Sequence, residues 1–154
     1  MTHYSAPARR IAAVVALGLL SLTGCGDAVA PEVALDRARQ QWRNTAPDAY
    51  RLTIQRTCFC GLVQGPVEVI VRDRVVQSRR DLATGLPLDA RIADAYPTVD
   101  GLFELIDDAI TRGADQVELT FDPMRGYPRR ISLDYRTDVA DDELIVTVET
   151  FGQL

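Results

Sequence analysis

A short apolar stretch, Ile11 to Leu22, follows the basic pair Arg9-Arg10 and ends three residues before Cys25. At twelve residues it falls short of the roughly 20 that a helix needs to cross a bilayer, so it reads as the hydrophobic region of an export signal and not as a permanent span. Whatever folds must then be built from residues 25–154. That length suits one domain with a real core, which buries about two thirds of its chain surface.

The order of basic start, apolar stretch, small residues and cysteine, closing on Leu22-Thr23-Gly24-Cys25, resembles a bacterial lipoprotein signal peptide with its lipobox. The resemblance implies that residues 1–24 are removed and that Cys25 carries a thioether-linked diacylglycerol with acyl (palmitate) chains. Each buried methylene of such an anchor contributes about 0.8 kcal/mol to membrane attachment. An ordinary secretory signal, cleaved before an incidental cysteine, is the alternative. On the lipoprotein reading the chain is extracytoplasmic, on the outer face of the cell membrane or facing a periplasm, and Gly26 to Ala30 form a short tether.

Without Arg9 and Arg10 the basic count falls from 17 to 15 against 22 acidic residues, a net charge of −7. An acidic surface argues against nucleic acid and anionic lipid as partners. The only histidine, His3, lies in the signal, so residues 25–154 have none. Ser-His-Asp and Cys-His activation are thereby removed, together with the commonest zinc and copper ligand. All 17 basic residues are arginine, which removes lysine Schiff-base chemistry as well; a coding bias explains the composition equally well. No cofactor and no metal are expected, and no enzymatic activity.

Residues 31–154 read as one α+β domain. Pro31 suits a first helical position, Glu32 and Asp36 complement the positive helix start, and Leu35, Ala38 and Trp42 share one face before Pro47. From Tyr50 the period becomes two, with Tyr50, Leu52 and Ile54 alternating with Arg51, Thr53 and Gln55. Val67, Val69 and Val71 predict a second strand, and Asp73-Arg74 a tight turn into a third over Val75 to Ser78. Asp81 to Pro97 reads as a connecting loop with one short helical turn.

Thr98 then caps a helix carrying Val99, Leu102, Phe103, Ile106 and Ile110, stopped by Gly113. Three more strands follow: one on Val117, Leu119 and Phe121, one on Ile131, Leu133 and Tyr135, and one from Leu144 to Phe151. Asp122 to Pro128 and Asp138 to Asp142 separate them as turns. The expected architecture is an antiparallel sheet of about six strands with two helices packed on it, in the order α-βββ-α-βββ. Tyr50 to Ile54 echoes Val117 to Phe121, which hints at a duplicated unit.

Trp42 before the Tyr50 strand, Cys58-Phe59-Cys60, Thr98 with Leu102-Phe103, Gly126-Tyr127-Pro128 and Asp141-Asp142-Glu143 form an ordered set. Together they resemble a family of uncharacterised bacterial secreted lipoproteins, domain-of-unknown-function family 6174, over nearly all of the mature chain. Arg74 departs from it, standing where glycine would suit the turn. The family implies no established activity.

With Cys25 lipidated, Cys58 and Cys60 form the one intramolecular pair, and an exported domain favours a bond between them. A regular strand holds cysteines two apart too widely for that bond, so the backbone must bend, helped by Gly61. Closing so small a ring contributes only about 1.6 kcal/mol before strain, and such a bond is comparatively easy to reduce. The pair therefore supports either a structural disulfide or an envelope thiol-disulfide protein. A thiolate needs a cation or helix N-terminus, and Arg56 is the one charge close in sequence. Tyr127, Asp141 and Asp142 are candidates for a recognition surface, and a meander of the last strands would gather Asp122, Asp134 and the acidic loop 138–143. The favoured reading is a lipid-anchored, non-enzymatic module binding an envelope protein or small ligand; an inhibitor of another enzyme reads the same way in sequence.

Overall fold

The computed structural model describes Met1 and residues 31–60, 65–139 and 141–154. The expected export signal beyond Met1, Cys25 with the expected tether to residue 30, and Gly61 lie outside the described residues. Helix α1 spans Pro31–Thr45, with Glu32 in its first turn and Arg43 in its last, each matched to the helix dipole. Its buried face carries Leu35, Ala38 and Trp42. Helix α2 spans Val99–Thr111 and buries Val99, Leu102, Phe103, Ile106 and Ala109. Thr98 caps it as expected, its hydroxyl accepting from the Gly101 N–H at 3.2 Å.

Six strands form one antiparallel sheet: β1 (Ala49–Cys58), β2 (Val67–Arg72), β3 (Val75–Asp81), β4 (Gln116–Phe121), β5 (Pro128–Asp134) and β6 (Glu143–Gln153). Their spatial order is β3-β2-β1-β6-β5-β4. Two meanders, β1–β3 and β4–β6, are thus joined through the pairing of β1 with β6, which runs from Tyr50↔Gln153 to Cys58↔Leu144. The β1–β6 register shifts once, between Thr53 and Ile54, so Phe151 lies opposite Leu52 while Val148 lies opposite Ile54. The echoing segments β1 and β4 are the first strands of the two meanders, β1 central in the sheet and β4 at its edge.

One face of the sheet is buried. Leu52 and Ile54 meet Val67, Val69 and Val71 on one side, and Val146, Val148, Ile131 and Leu133 on the other. Both helices add their apolar stripes to this core. Arg39 of α1 reaches the carboxylate of Asp107 and the Phe103 carbonyl, while Trp42 reaches Asp100. Contacts that rise along α1 therefore fall along α2, and the helices run antiparallel. The opposite face is polar, with Thr53 and Thr150 hydrogen-bonded hydroxyl to hydroxyl at 2.8 Å.

The connection between β3 and α2 lies down on the core with one 3-10 turn at Ala93–Ala95, as expected. Tyr96 is fully buried beneath it. Two half-buried arginines fasten its end: Arg56 Nη1 donates to the Ala95 carbonyl at 2.8 Å and Arg79 Nε to the Tyr96 carbonyl at 2.7 Å. The last carbonyls of the turn are thereby satisfied by cations from the sheet.

Candidate functional site

At the end of the sheet where β1 begins, four aromatic rings close the core. Trp42 stands edge-on to Tyr50 and Phe151 at centroid distances of 5.5 and 5.7 Å, and Phe151 is stacked between Tyr50 at 5.3 Å and Tyr127 at 4.7 Å. The rims of this cluster carry its polar atoms. Trp42 Nε1 donates to Asp100 Oδ1 at 3.0 Å, and the Val99 N–H donates to the Tyr50 hydroxyl at 3.3 Å. Burial pushes the Tyr50 hydroxyl up to about 12, despite the bond from Val99, and the neighbouring Asp100 adds to the rise.

Above this rim opens a hollow of about 360 Å³ between the C-terminal turn of α1, the start of β1, the β2–β3 turn and the first turn of α2. Arg43, Asp48, Asp73, Arg74 and Asp100 supply its charges, with Trp42 and Tyr50 beneath. The β2–β3 turn stands at its edge because Asp73 and Arg74 both adopt left-handed backbone, with φ of 50° and 62°. This is the two-residue turn whose twist matches a hairpin, and the Asp73 N–H fastens it to the Asp48 carbonyl at 2.8 Å. Alternating carboxylates and guanidiniums on a firm aromatic base suit the recognition of a polar or charged partner by paired charges and hydrogen bonds.

The turn expected from Asp122 to Pro128 forms, and its departure from expectation lies at Tyr127. Asp122 Oδ1 accepts from the N–H groups of Met124 and Arg125 at 3.0 and 2.8 Å. Gln41 donates to the Pro123 carbonyl at 2.7 Å, Thr45 donates to the Arg125 carbonyl at 3.1 Å, and Arg125 donates to the Thr45 carbonyl at 3.0 Å. The turn is strapped to α1. Tyr127 is 9 % exposed and stacked on Phe151, so its ring is part of the core and does not form the recognition surface expected at this tip. Pro123 and Met124 are what the tip exposes.

The second region is at the opposite end of β1. Cys58 and Cys60 lie at disulfide distance, their Cα atoms 5.3 Å apart, and Phe59 between them is 85 % exposed. Thr57, Cys58, Phe59, Asp141, Glu143 and Ile145 line a hollow of about 400 Å³. Here the structure does bring two groups of sequence candidates together, because the β1–β6 register sets Cys58 opposite Leu144 and so beside the 138–142 turn. Asp142 forms an ion pair with Arg136 at 3.6 Å and lies further inside than Asp141, which is exposed with φ of 84°. Asp134 pairs with Glu143 as the meander expectation required, but Asp122 lies at the other end of that hairpin.

For thiol chemistry the neighbourhood has the wrong sign. Asp141 and Glu143 share a hollow with Cys58, and carboxylates disfavour a thiolate. Arg56 is held to the Ala95 carbonyl, and burial lowers its own pKa. Cys25 lies outside the described residues.

With this architecture the chain belongs to the family of unknown function DUF6174, whose family model matches residues 34–153, from within α1 to the end of β6. No curated protein and no solved structure matches it significantly.

The charged hollow escaped sequence reasoning because its residues come from four segments. Asp48, Asp73 and Asp100 each read alone as turn or cap residues, and Trp42 as core, which it is. The one available signal was Arg74, a non-glycine residue at a turn position that favours glycine.

Proposed function

We propose that this chain is a lipid-anchored, extracytoplasmic recognition module that binds an envelope protein or small ligand at the charged hollow of Asp48, Asp73, Arg74 and Asp100 and does not turn a substrate over. The observation that carries the reading is Arg74, which keeps a large side chain in left-handed backbone at the edge of that hollow, where glycine would be less strained. The lipobox at Leu22 to Cys25 supplies the anchor, and Cys58–Cys60 closes the end of β1 as a structural bond.

The thiol-disulfide reading draws on the exposure of Cys60, and the carboxylates of Asp141 and Glu143 oppose it. A dithiol exchange assay with glutathione and a disulfide-bonded protein substrate separates the two. The recognition reading expects no turnover beyond that of a free dithiol. Catalytic turnover that is lost in Cys58→Ser would overturn it.

A further inference from the structure

We propose that the disulfide turn Cys58-Phe59-Cys60 is the membrane-facing edge of the domain, with Phe59 resting in the boundary between headgroups and acyl chains of the bilayer that holds the anchor. The proposal deepens the recognition reading and rests on the lipidation of Cys25.

The tether sets the geometry. Cys25 stands six residues before Pro31, so the chain between them spans at most about 20 Å. The first turn of α1 sits at the disulfide end of the sheet. Glu32 shares a hollow with Ile110, Ala114, Asp115 and Val117 at the start of β4. From there one row crosses the strands: Gln116 pairs with Asp134, Asp134 with Glu143, and Glu143 lines the same hollow as Phe59. Three strand spacings separate β4 from β1, about 14 Å, and with the roughly 10 Å between the helix layer and the sheet the first turn of α1 stands about 17 Å from the disulfide turn, which lies inside the extended reach of the tether.

The far end does not. Strand β1 has ten residues and spans about 34 Å, which carries the charged hollow, the Asp73-Arg74 turn and Met124 away from the lipid. Exposed apolar side chains occur at both ends, Phe59 at 85 % and Met124 at 78 %, and the tether decides which of them meets the bilayer. Phe59 is suited to it: its ring stands largely exposed between the paired Cys58 and Cys60. Asp141 and Glu143 beside the ring limit it to shallow seating and favour zwitterionic over anionic headgroups. The recognition end is thus held outward, where a partner can approach.

The test uses the full lipidated protein on phosphatidylcholine vesicles with brominated acyl chains, comparing Phe59→Trp with Met124→Trp. Trp42 is buried and contributes a constant background to both. The Phe59→Trp emission should fall by half or more on the brominated vesicles and less when anionic phosphatidylglycerol is added, while Met124→Trp emission stays unchanged. Quenching at Met124→Trp, or at neither position in protein that floats with the vesicles, would overturn the orientation. Failure of the protein to float would remove the anchor and the orientation together, and leave recognition at the hollow to be judged by partner binding.

Discussion

The indole N–H of Trp42 donates to the carboxylate of Asp100 at 3.0 Å, tying the last turns of α1 to the first turn of α2 across 58 residues of chain. The same carboxylate sits at the positive end of α2 and on the wall of the charged hollow. One bond therefore joins the packing of the two helices to the shape of the proposed recognition site.

Asp100→Ala should cost about 2 kcal/mol, because it leaves the buried indole N–H unpaired and removes a favourable charge from the helix start. Asp100→Asn keeps an acceptor and should cost less than half of that. Urea unfolding followed by Trp42 fluorescence measures both, and equal losses in the two variants would contradict the role given to the bond.

Arg74→Gly should stabilise the fold by about 0.5–1 kcal/mol, since it relieves left-handed backbone at φ 62° in a turn that suits Asp-Gly. A melting temperature higher by a few degrees is the expected outcome. Partner binding should weaken in the same variant, since the guanidinium leaves the hollow.

Gly126→Ala should be severely destabilising, by about 3 kcal/mol or more. Gly126 has φ of 79°, and a β-carbon there would collide with the Ala38 carbonyl and lie 2.9 Å from Gln41 Cβ. The turn would have to lift from α1, breaking its bonds to Gln41 and Thr45. Chemical denaturation and proteolysis at the 122–127 turn read this directly.

Alkaline pH should destabilise the protein through Tyr50. Its hydroxyl titrates near 12 when folded against 10 when unfolded, so the folded state holds the proton more tightly. The stability is complete below pH 10 and falls by about 2 kcal/mol as pH rises toward 12. Burial raises Tyr127 as well, so Tyr50→Phe should remove much of this decline and leave the remainder. Unfolding free energies at pH 8, 10 and 11 in wild type and variant provide the measurement.

Much of the fold was legible because local pattern and tertiary position agree. Leu35, Ala38 and Trp42 are buried together, Thr98 caps α2, and Asp73-Arg74 turns the β2–β3 hairpin. What escaped was non-local. The β1–β6 pairing links residues about a hundred apart and follows from no periodicity. The Asp81 to Pro97 segment looked patternless because arginines from two other strands, Arg56 and Arg79, hold it down. Tyr127 read as a tip residue because Phe151, against which it stacks, lies on a strand that only the fold brings near. The charged hollow shares this origin, being assembled from the ends of elements far apart in sequence.

Recognition at the hollow and chemistry at the disulfide are separated most directly by affinity capture from envelope extract with three forms of the full chain. These are the wild type, the pair Cys58→Ser/Cys60→Ser, and the pair Asp48→Asn/Arg74→Ala, each first shown to be folded. A partner retained by the wild type and the cysteine variant, and lost from the hollow variant, is the predicted result. A partner retained by the hollow variant but lost, or held only as a mixed disulfide, when the cysteines are changed would contradict it.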